Sequence, residues 1–154
     1  MTSQRLEDYL RAHDVAFHTI SHPYAQTAEG TAASANISGR EMAKTVMVRL
    51  DGKLAMAVVP ANEWVDLPRL REATGAQEVA LASESEFRDR FPECEVGAMP
   101  PFGNLYGMDV FASDRLAEDE QIAFNAGSHR ELVCIGWNDF ERLVHPRVAD
   151  LTRH

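Results

Sequence analysis

The segment from Lys44 to Val59 constrains the fold of this chain more than any other part of the sequence. Residues 44–50 and 53–59 are two largely apolar stretches, and Asp51-Gly52 separates them. An Asp-Gly pair in this position favours a two-residue type I′ turn, in which both residues have positive φ. The sequence therefore predicts an antiparallel β-hairpin around which the rest of the fold is built.

Helical periodicity and capping residues predict short helices outside this hairpin. The first is amphipathic and spans about the first dozen residues, because Leu6, Tyr9, Leu10 and His13 recur at helical spacing. A second helix is predicted in the Ala-rich stretch Ala28 to Ala35, with Thr27 as its N-cap. A third begins at Asp66, with Pro68 in its first turn and Gly75 after its end, and a fourth begins at Ser83, in a capping box with Glu86. The last begins at Asn138, contains Phe140, Leu143 and Val144, and stops at His145-Pro146.

Further strands are predicted at residues 15–19, 78–81, 107–112, 121–125 and 130–135, and an ordered loop at Val96 to Gly103. About seven strands and short helices, without strict alternation, indicate a single α+β domain with a mixed or barrel-like sheet. We expect its core to span residues 4–145, within a domain of residues 1–154, and the tail from Arg147 to be loosely held.

Charge and composition exclude several classes of protein. The chain has 15 Lys and Arg against 24 Asp and Glu, a formal net charge of -9. This balance argues against a broad basic surface for DNA or a membrane. The two cysteines, Cys94 and Cys134, have neither disulfide-framework nor zinc spacing, and no apolar run is long enough to span a bilayer. We expect a soluble, cytoplasmic protein.

The sequence also lacks the motifs of common enzyme classes. No GxxxxGK[ST], GxGxxG, HExxH or GxSxG occurs. His18 and His22 are four residues apart, but the strand pattern and the following proline make a shared helical face improbable, and no third ligand is evident. We therefore predict no metal site.

Lys44 is the first candidate functional residue. Alternation along its strand places it on the same face as Val46, Val48 and Leu50, which predicts an inward-pointing lysine. An ammonium in that position normally meets an anion, a cavity or a dipole, or extends to water. A bulge that shifts the alternation and leaves Lys44 at the rim of the sheet is the structural alternative.

The second candidate is the loop Gly97-Ala98-Met99-Pro100-Pro101. Its prolines stiffen the backbone and carry no N–H, so the possible donors are the amides of Gly97, Ala98, Met99 and Phe102. Rigid amides are suited to holding an oxyanion. The alternative is a stiff connection between helix and sheet.

The third candidate is the turn Gly127-Ser128-His129, which lies between two predicted strands where a polar side chain projects over a sheet edge. Neighbouring serine and histidine side chains are awkwardly placed for a nucleophile pair, and no aspartate is assigned to orient the ring. A nucleophilic hydrolase is therefore disfavoured. His129 is either a ligand contact or a solvent-facing turn residue.

Lys44 in the first hairpin, Gly97-x-x-x-Pro101 and Ala126-Gly127-Ser128-His129 together resemble the YbaK/prolyl-tRNA synthetase-associated editing domain, a family of aminoacyl-tRNA deacylases. The resemblance runs from Leu6 through Leu143, with the elements in the same order. It implies a free-standing α+β domain that needs no cofactor and hydrolyses the ester of a mischarged amino acid at the 3′ acceptor end of tRNA. A prolyl-tRNA synthetase partner stays open.

The resemblance also implies residue roles. Lys44 matches the essential lysine and Gly97 begins the GxxxP loop, so both are assigned to catalysis. Substrate contacts are assigned to Thr45, Ala98, Met99, Pro100, Pro101, Gly127, Ser128 and His129. Water attacks in this family, helped by a ribose hydroxyl. A lysine of ordinary pKa, about 10.4, is a poor base, so Lys44 is better suited to gripping phosphate or ribose, or to polarising the carbonyl.

The expected substrate is a small amino acid, alanine, cysteine or serine, on proline tRNA. Editing is useful because a hydrophobic pocket discriminates one methylene by only about 1–3 kcal/mol. Phosphate contacts should be few, and the nearest candidates for them are Arg40, Arg69 and Arg71. Two rival functions stay open: a non-catalytic module of the same fold that binds a small ligand or tRNA, and hydrolysis of another small ester or amide without RNA.

Overall fold

The computed structural model describes residues 3–22, 30, 41–95 and 97–153 of the chain. The helix predicted at Ala28 to Ala35, its cap Thr27, and Val96 of the predicted loop fall outside the described residues, Gly30 excepted. The helices are α1 (Gln4–Ala12), α2 (Leu67–Thr74), α3 (Glu84–Phe87) and α4 (Trp137–Val144). The strands are β1 (His18–Ser21), β2 (Met42–Leu50), β3 (Lys53–Pro60), β4 (Trp64–Val65), β5 (Val79–Leu81), β6 (Val110–Ser113), β7 (Gln121–Asn125), β8 (Glu131–Gly136), β9 (Arg147–Ala149) and β10 (Thr152–Arg153).

The predicted hairpin is confirmed and lies at the centre of the sheet. β2 and β3 pair without interruption from Ala43 with Pro60 to Leu50 with Lys53. Asp51 and Gly52 have φ of +48° and +86°, as a type I′ turn requires. Because the register contains no bulge, the alternation that places Lys44 with Val46 and Val48 holds, and the bulge of the structural alternative is wrong. Lys44 is nevertheless only half-buried and lies near the end of β2, at the rim of the sheet, as that alternative had it.

The main sheet has eight strands, in the order β1-β8-β7-β2-β3-β6-β9, with β5 pairing a second stretch of β2. The pairs β2–β7, β3–β6 and β6–β9 are parallel and the others antiparallel, so the predicted α+β fold with a mixed sheet is confirmed. In the described part of the chain no pairing joins β1 to β9, and the path stays open. β4 and β10 form a separate pair.

Each face of the β2–β3 hairpin packs on its own apolar cluster. Ala43 and Met47 belong to the larger cluster, which includes residues of α1 and α4. Val48 belongs to a smaller cluster with Leu70 of α2 and with Leu151. Lys44 shares the face of the smaller cluster by alternation, but it lies at the end of the strand where that cluster stops.

The predicted caps of α2 and α3 are confirmed. Asp66 Oδ1 accepts a hydrogen bond from the Arg69 amide at 3.1 Å, and Gly75 ends α2 in the left-handed region at φ +75°. Glu86 Oε1 accepts from the backbone amide of Ser83 at 3.1 Å, which closes the capping box of α3. α3 is shorter than a typical helix and continues as a 3₁₀ turn over Arg88–Arg90.

Several predicted boundaries shift. β1 begins at His18, because Val15 and Phe17 contact the larger cluster before the strand begins. β6 begins at Val110, after a turn in which Gly107 has φ +70°. α4 begins after Gly136 and not after Asn138, which puts the buried Trp137 in its first turn; His145 ends α4 as predicted.

The prediction of a loosely held tail is wrong. β9 pairs with β6, and β10 pairs with β4. Between them, Leu151 is 0% exposed and packs in the smaller cluster beside Leu70. Strands of two and three residues carry almost no periodic signal, so the sequence pattern could not indicate that these residues complete the core. No helix among the described residues is long and apolar enough to span a membrane.

Candidate active site

The parallel pairing of β2 with β7 brings together the two polar side chains at the centre of the site. The last aligned pair on these strands is Ala43 with Phe124. Lys44 and Asn125 are the next residue on each strand, so they lie side by side and project to the same face. Asn125 is 9% exposed and Lys44 is half-buried. This pairing is non-local in sequence, which is why no local pattern indicated it.

The contacts of the Lys44 ammonium at the edge of the sheet include a backbone carbonyl and an aromatic ring. Its Nζ lies 3.4 Å from the carbonyl oxygen of Ala61 and 4.7 Å from the ring centroid of Trp64. The second distance is within the range of a cation–π interaction. Trp64 is 61% exposed, so the indole supports the ammonium from the solvent side. These contacts fix the positive charge at this end of β2.

Beside Lys44 lies a small enclosed cavity of about 30 Å³. This is roughly the volume that one water molecule takes in the liquid, enough for a group of one or two heavy atoms. The residues that line it are Ala43, Lys44, Thr45, Gly97, Met99 and Asn125. Larger open clefts, of about 740 and 820 Å³, lie at the turn end of the hairpin, and none of the predicted site residues lines them.

The predicted loop covers this cavity with its backbone. Gly97 has φ +84°, a conformation that side chains of L-residues rarely adopt. The Ala98 amide donates to the carbonyl oxygen of Glu95 at 3.0 Å and is therefore not available to a ligand. Among the described residues we find no acceptor for the amides of Gly97 and Met99, which line the cavity. Phe102 is fully buried in the larger cluster.

Backbone hydrogen bonds join this loop to the third candidate segment. The Gly127 amide donates to the carbonyl oxygen of Ala98 at 2.7 Å, and the Glu95 amide donates to that of Gly127 at 2.8 Å. Gly127 has φ +103°, and a Cβ there would lie 3.2 Å from Ser3, the N-cap of α1. The loop and the turn therefore form one rigid unit that rests on the start of the chain.

His129 and Ser128 occupy different positions in this unit. His129 is 5% exposed, and its Cε1 lies 3.4 Å from where a Cβ on Gly97 would be. The solvent-facing alternative for His129 is therefore wrong: the imidazole lies directly behind Gly97. Ser128 is buried, and its Oγ accepts from the Arg130 amide at 3.0 Å, within the turn.

Only some of the predicted site residues line the cavity. Lys44, Thr45, Gly97 and Met99 line the cavity. The other predicted residues are buried and do not line the cavity: Ala98, Pro100, Pro101, Gly127, Ser128 and His129. Sequence reasoning missed Asn125. The available signal was an asparagine, a residue uncommon in strands, at the end of the apolar run Ile122-Ala123-Phe124.

Neither cysteine is an activated nucleophile. Burial, with a smaller contribution from the neighbouring Glu93 carboxylate, raises the pKa of the Cys94 thiol to about 11. Burial also raises the pKa of Cys134. Among the described residues, no group of three or more histidine, cysteine, aspartate or glutamate side chains is placed to hold a metal ion. What the site offers is a positive charge, two backbone amides and a small space.

Comparisons with known proteins agree with this fold. The sequence profile of the aminoacyl-tRNA editing domain matches residues 22–143. The Multifunctional Ser/Thr-tRNA deacylase ProXp-y of Escherichia coli (strain K12) is 27% identical over 158 residues, covering 99% of this chain and 94% of that protein. A proline–tRNA ligase of Bacillus mycoides is 26% identical over 102 residues, covering 66% of this chain and 18% of the ligase.

A solved structure described as a candidate trans-editing enzyme for prolyl-tRNA synthetase superimposes with a TM-score of 0.83 at 18% identity, over 99% of this chain and 97% of its own. At that identity the likeness bears on the fold alone. The sequence profile, on a fold that agrees with it, defines the class as proteins that edit aminoacyl-tRNA. The chain belongs to the aminoacyl-tRNA editing domain family. It is accordingly an aminoacyl-tRNA hydrolase, a deacylase.

Proposed function

We propose that this protein is a trans-editing deacylase that acts in the cytoplasm and hydrolyses the ester between a small amino acid and the 3′ end of a tRNA. One observation carries the proposal: Lys44 and Gly97 line the same cavity, of about 30 Å³, at the end of β2. Serine is the first candidate substrate, with alanine and cysteine beside it, and proline tRNA is the first candidate carrier. The name of the E. coli relative supports serine and adds threonine.

The chemistry needs no side-chain nucleophile. A water oxygen adds to the ester carbonyl carbon, and the carbonyl oxygen becomes an oxyanion. The amides of Gly97 and Met99, which have no acceptor among the described residues, are placed to donate to that oxyanion. Collapse of the intermediate breaks the bond to the ribose oxygen, which takes up a proton. The products are the free amino acid and the tRNA 3′ terminus.

Lys44 supplies fixed positive charge in this scheme. Because its Nζ is held between the Ala61 carbonyl and the Trp64 ring, the ammonium is oriented before the substrate arrives. Such preorganised charge stabilises the developing oxyanion or holds the terminal phosphate without reorganisation during the reaction. The attacking water receives help from the vicinal ribose hydroxyl of the substrate, as in the family that the chain resembles.

The size of the cavity supports a small aminoacyl side chain. A space of about 30 Å³ takes a methyl, hydroxymethyl or thiomethyl group, whereas a bulkier side chain requires the loop to move. The loop resists movement, because two backbone hydrogen bonds attach it to the Gly127 turn. We therefore propose that the stiff Gly97 loop excludes proline, the larger cognate amino acid, from the cavity.

The test is a deacylation panel. Proline tRNAs carrying labelled serine, threonine, alanine, cysteine or proline, and the cognate serine and threonine tRNAs, are incubated with the protein, and loss of the aminoacyl group is followed. We expect release of serine or another small residue and no release of proline. Seryl and alanyl esters of a simple alcohol, without RNA, form the control.

Each result discriminates between the functions. Selective release from tRNA supports the proposal, and equal hydrolysis of the simple esters indicates a general esterase instead. Tight binding of aminoacyl-tRNA without release, by correctly folded protein, overturns the proposal in favour of a binding module.

A further inference from the structure

Asn125 is a buried polar group of the site that the proposed chemistry does not use. It is 9% exposed and lines the cavity together with Lys44 and Gly97. Its Oδ1 is fully covered and accepts no hydrogen bond from the described residues. Buried side-chain amides in folded proteins nearly always have partners, so an unpartnered one needs an explanation.

A purely structural role does not explain an asparagine here. Ile122, Ala123 and Phe124, which precede it in β7, are all buried apolar residues. Asparagine is disfavoured in strands, and burial of its carbonyl without a donor costs stability, whereas a leucine, with the same branched arrangement of side-chain heavy atoms, has no polar group to leave unpaired. The residue therefore opposes folding at this position, as is typical of residues retained for a ligand.

The free lone pairs define what the ligand must provide. Oδ1 is an acceptor that neighbouring atoms cover, so a ligand reaches it only after these atoms shift, and the ligand must then supply an N–H or O–H donor. The cavity holds a group of one or two heavy atoms, which is the size of a hydroxymethyl group. The neighbouring positive charge of Lys44 disfavours a second cation close to Asn125, which argues for a neutral hydroxyl over the α-ammonium of the amino acid.

We infer that Asn125 determines specificity by accepting a hydrogen bond from the side-chain hydroxyl of a seryl group bound in the cavity, or of a threonyl group once the Gly97 loop shifts to admit the additional methyl. This inference rests on the proposed function and deepens it: hydroxylated amino acids are preferred over alanine, which fills the same space without a donor. A site built to bind a hydroxyl rejects an analogue that lacks it, because the buried acceptor is then left unpaired.

The experiment compares kcat/KM for seryl-, threonyl- and alanyl-tRNA in the wild type and in Asn125→Leu. We expect the wild type to prefer serine or threonine to alanine by at least about 10-fold. Asn125→Leu should lose that preference, because turnover of the hydroxyl substrates falls further than alanine release, which the bulkier leucine reduces for steric reasons alone. Its midpoint of thermal unfolding should equal or exceed that of the wild type. Asn138→Leu, the same change at an exposed position on α4, is the matched control. It should alter neither the preference for serine or threonine over alanine nor kcat/KM for any of the three substrates.

Three results overturn the inference. The first is a wild type that releases alanine as fast as serine and threonine, which needs no variant and is decisive even if Asn125→Leu fails to fold. The second is an unchanged preference in a folded Asn125→Leu protein. The third is an equal fall for all substrates, which would assign Asn125 to a group that all of them share, such as the α-ammonium. A wild type that releases no amino acid contradicts the proposed function itself.

Discussion

Gly97 combines a backbone constraint with a close neighbour. Its φ of +84° is unfavourable for any L-residue, and a Cβ there would meet the His129 ring at 3.4 Å. We expect Gly97→Ala to lose about 1–2 kcal/mol of folding free energy from the backbone conformation. Because the added methyl shifts amides placed at the reacting carbonyl, turnover should fall by about 10- to 100-fold. Chemical denaturation and single-turnover deacylation measure the two effects.

Gly75 provides the control for this substitution. It has φ +75° at the end of α2, and nothing lies within 4 Å of where its Cβ would be. Gly75→Ala should therefore lose similar stability while turnover stays at the wild-type level. Equal turnover losses in the two variants would show that Gly97 acts only through stability.

The Cys94 thiol has a pH dependence opposite to that of a reactive cysteine. Burial raises its pKa from about 9 to about 11, so the protonated form persists to higher pH. At pH 8 the native protein then has about 100-fold less thiolate at this position than an ordinary thiol. We expect deacylation to survive iodoacetamide at pH 7.5, and Cys94 labelling to accelerate only as the pH rises from 9 towards 11. Rapid native labelling at pH 7.5 with parallel loss of activity would contradict this.

At the scale of elements, the C-terminal segment is expected to be part of the stable core. Leu151 is 0% exposed between β9 and β10 and packs in the smaller cluster that supports the hairpin. Leu151→Ala should therefore lose about 2–5 kcal/mol of unfolding free energy, because it leaves a cavity. Leu81, 57% exposed on β5, is the control, and Leu81→Ala should change stability by less than about 0.5 kcal/mol. If urea denaturation shows the same small loss of unfolding free energy for Leu151→Ala and Leu81→Ala, the C-terminal segment is only loosely attached to the core.

Local signals predicted the elements that depend on local chemistry. The Asp51-Gly52 turn and the Asp66 and Ser83 caps satisfy nearby backbone groups, so a few adjacent residues sufficed to locate them. β9 and β10 exist only because β6 and β4 lie beside them, and no short window contains that information. The elements missed in sequence are therefore those that tertiary pairing alone creates.

In the site, too, local sequence patterns predicted some residues, and tertiary pairing alone positions the others. Alternation along β2 placed Lys44 on the correct face, and the paired prolines indicated the stiff loop. Asn125 was missed because its position beside Lys44 arises from the parallel pairing of strands about 80 residues apart. The buried position of His129 was missed for a similar reason: hydrogen bonds between the Gly127 turn and the Gly97 loop hold it behind Gly97.

For the whole molecule, net charge limits how RNA is held. The formal charge of -9 leaves few cations for phosphate, and Arg69 is already paired with Asp66 at 3.7 Å and with Asp150. Arg40, another of the expected phosphate contacts, lies outside the described residues. Counting it with Arg71 and Lys44, we expect about two or three phosphate contacts. A plot of log(kcat/KM) against log salt concentration should then have a slope of about -2 to -3. A slope steeper than about -6 would require a basic surface that the composition excludes.

Deacylation is proposed to require the charge of Lys44. The chain has one other lysine, Lys53, which provides a chemically matched control. Lys53 is exposed beside the hairpin turn, away from the cavity. The measurement is single-turnover deacylation of seryl-tRNA by the wild type, Lys44→Ala and Lys53→Ala, each checked for native unfolding. We predict that Lys44→Ala folds but loses release by at least about 100-fold, because the fixed charge contributes several kcal/mol in the transition state. Lys53→Ala should match the wild type. A folded Lys44→Ala protein with wild-type release would contradict the account.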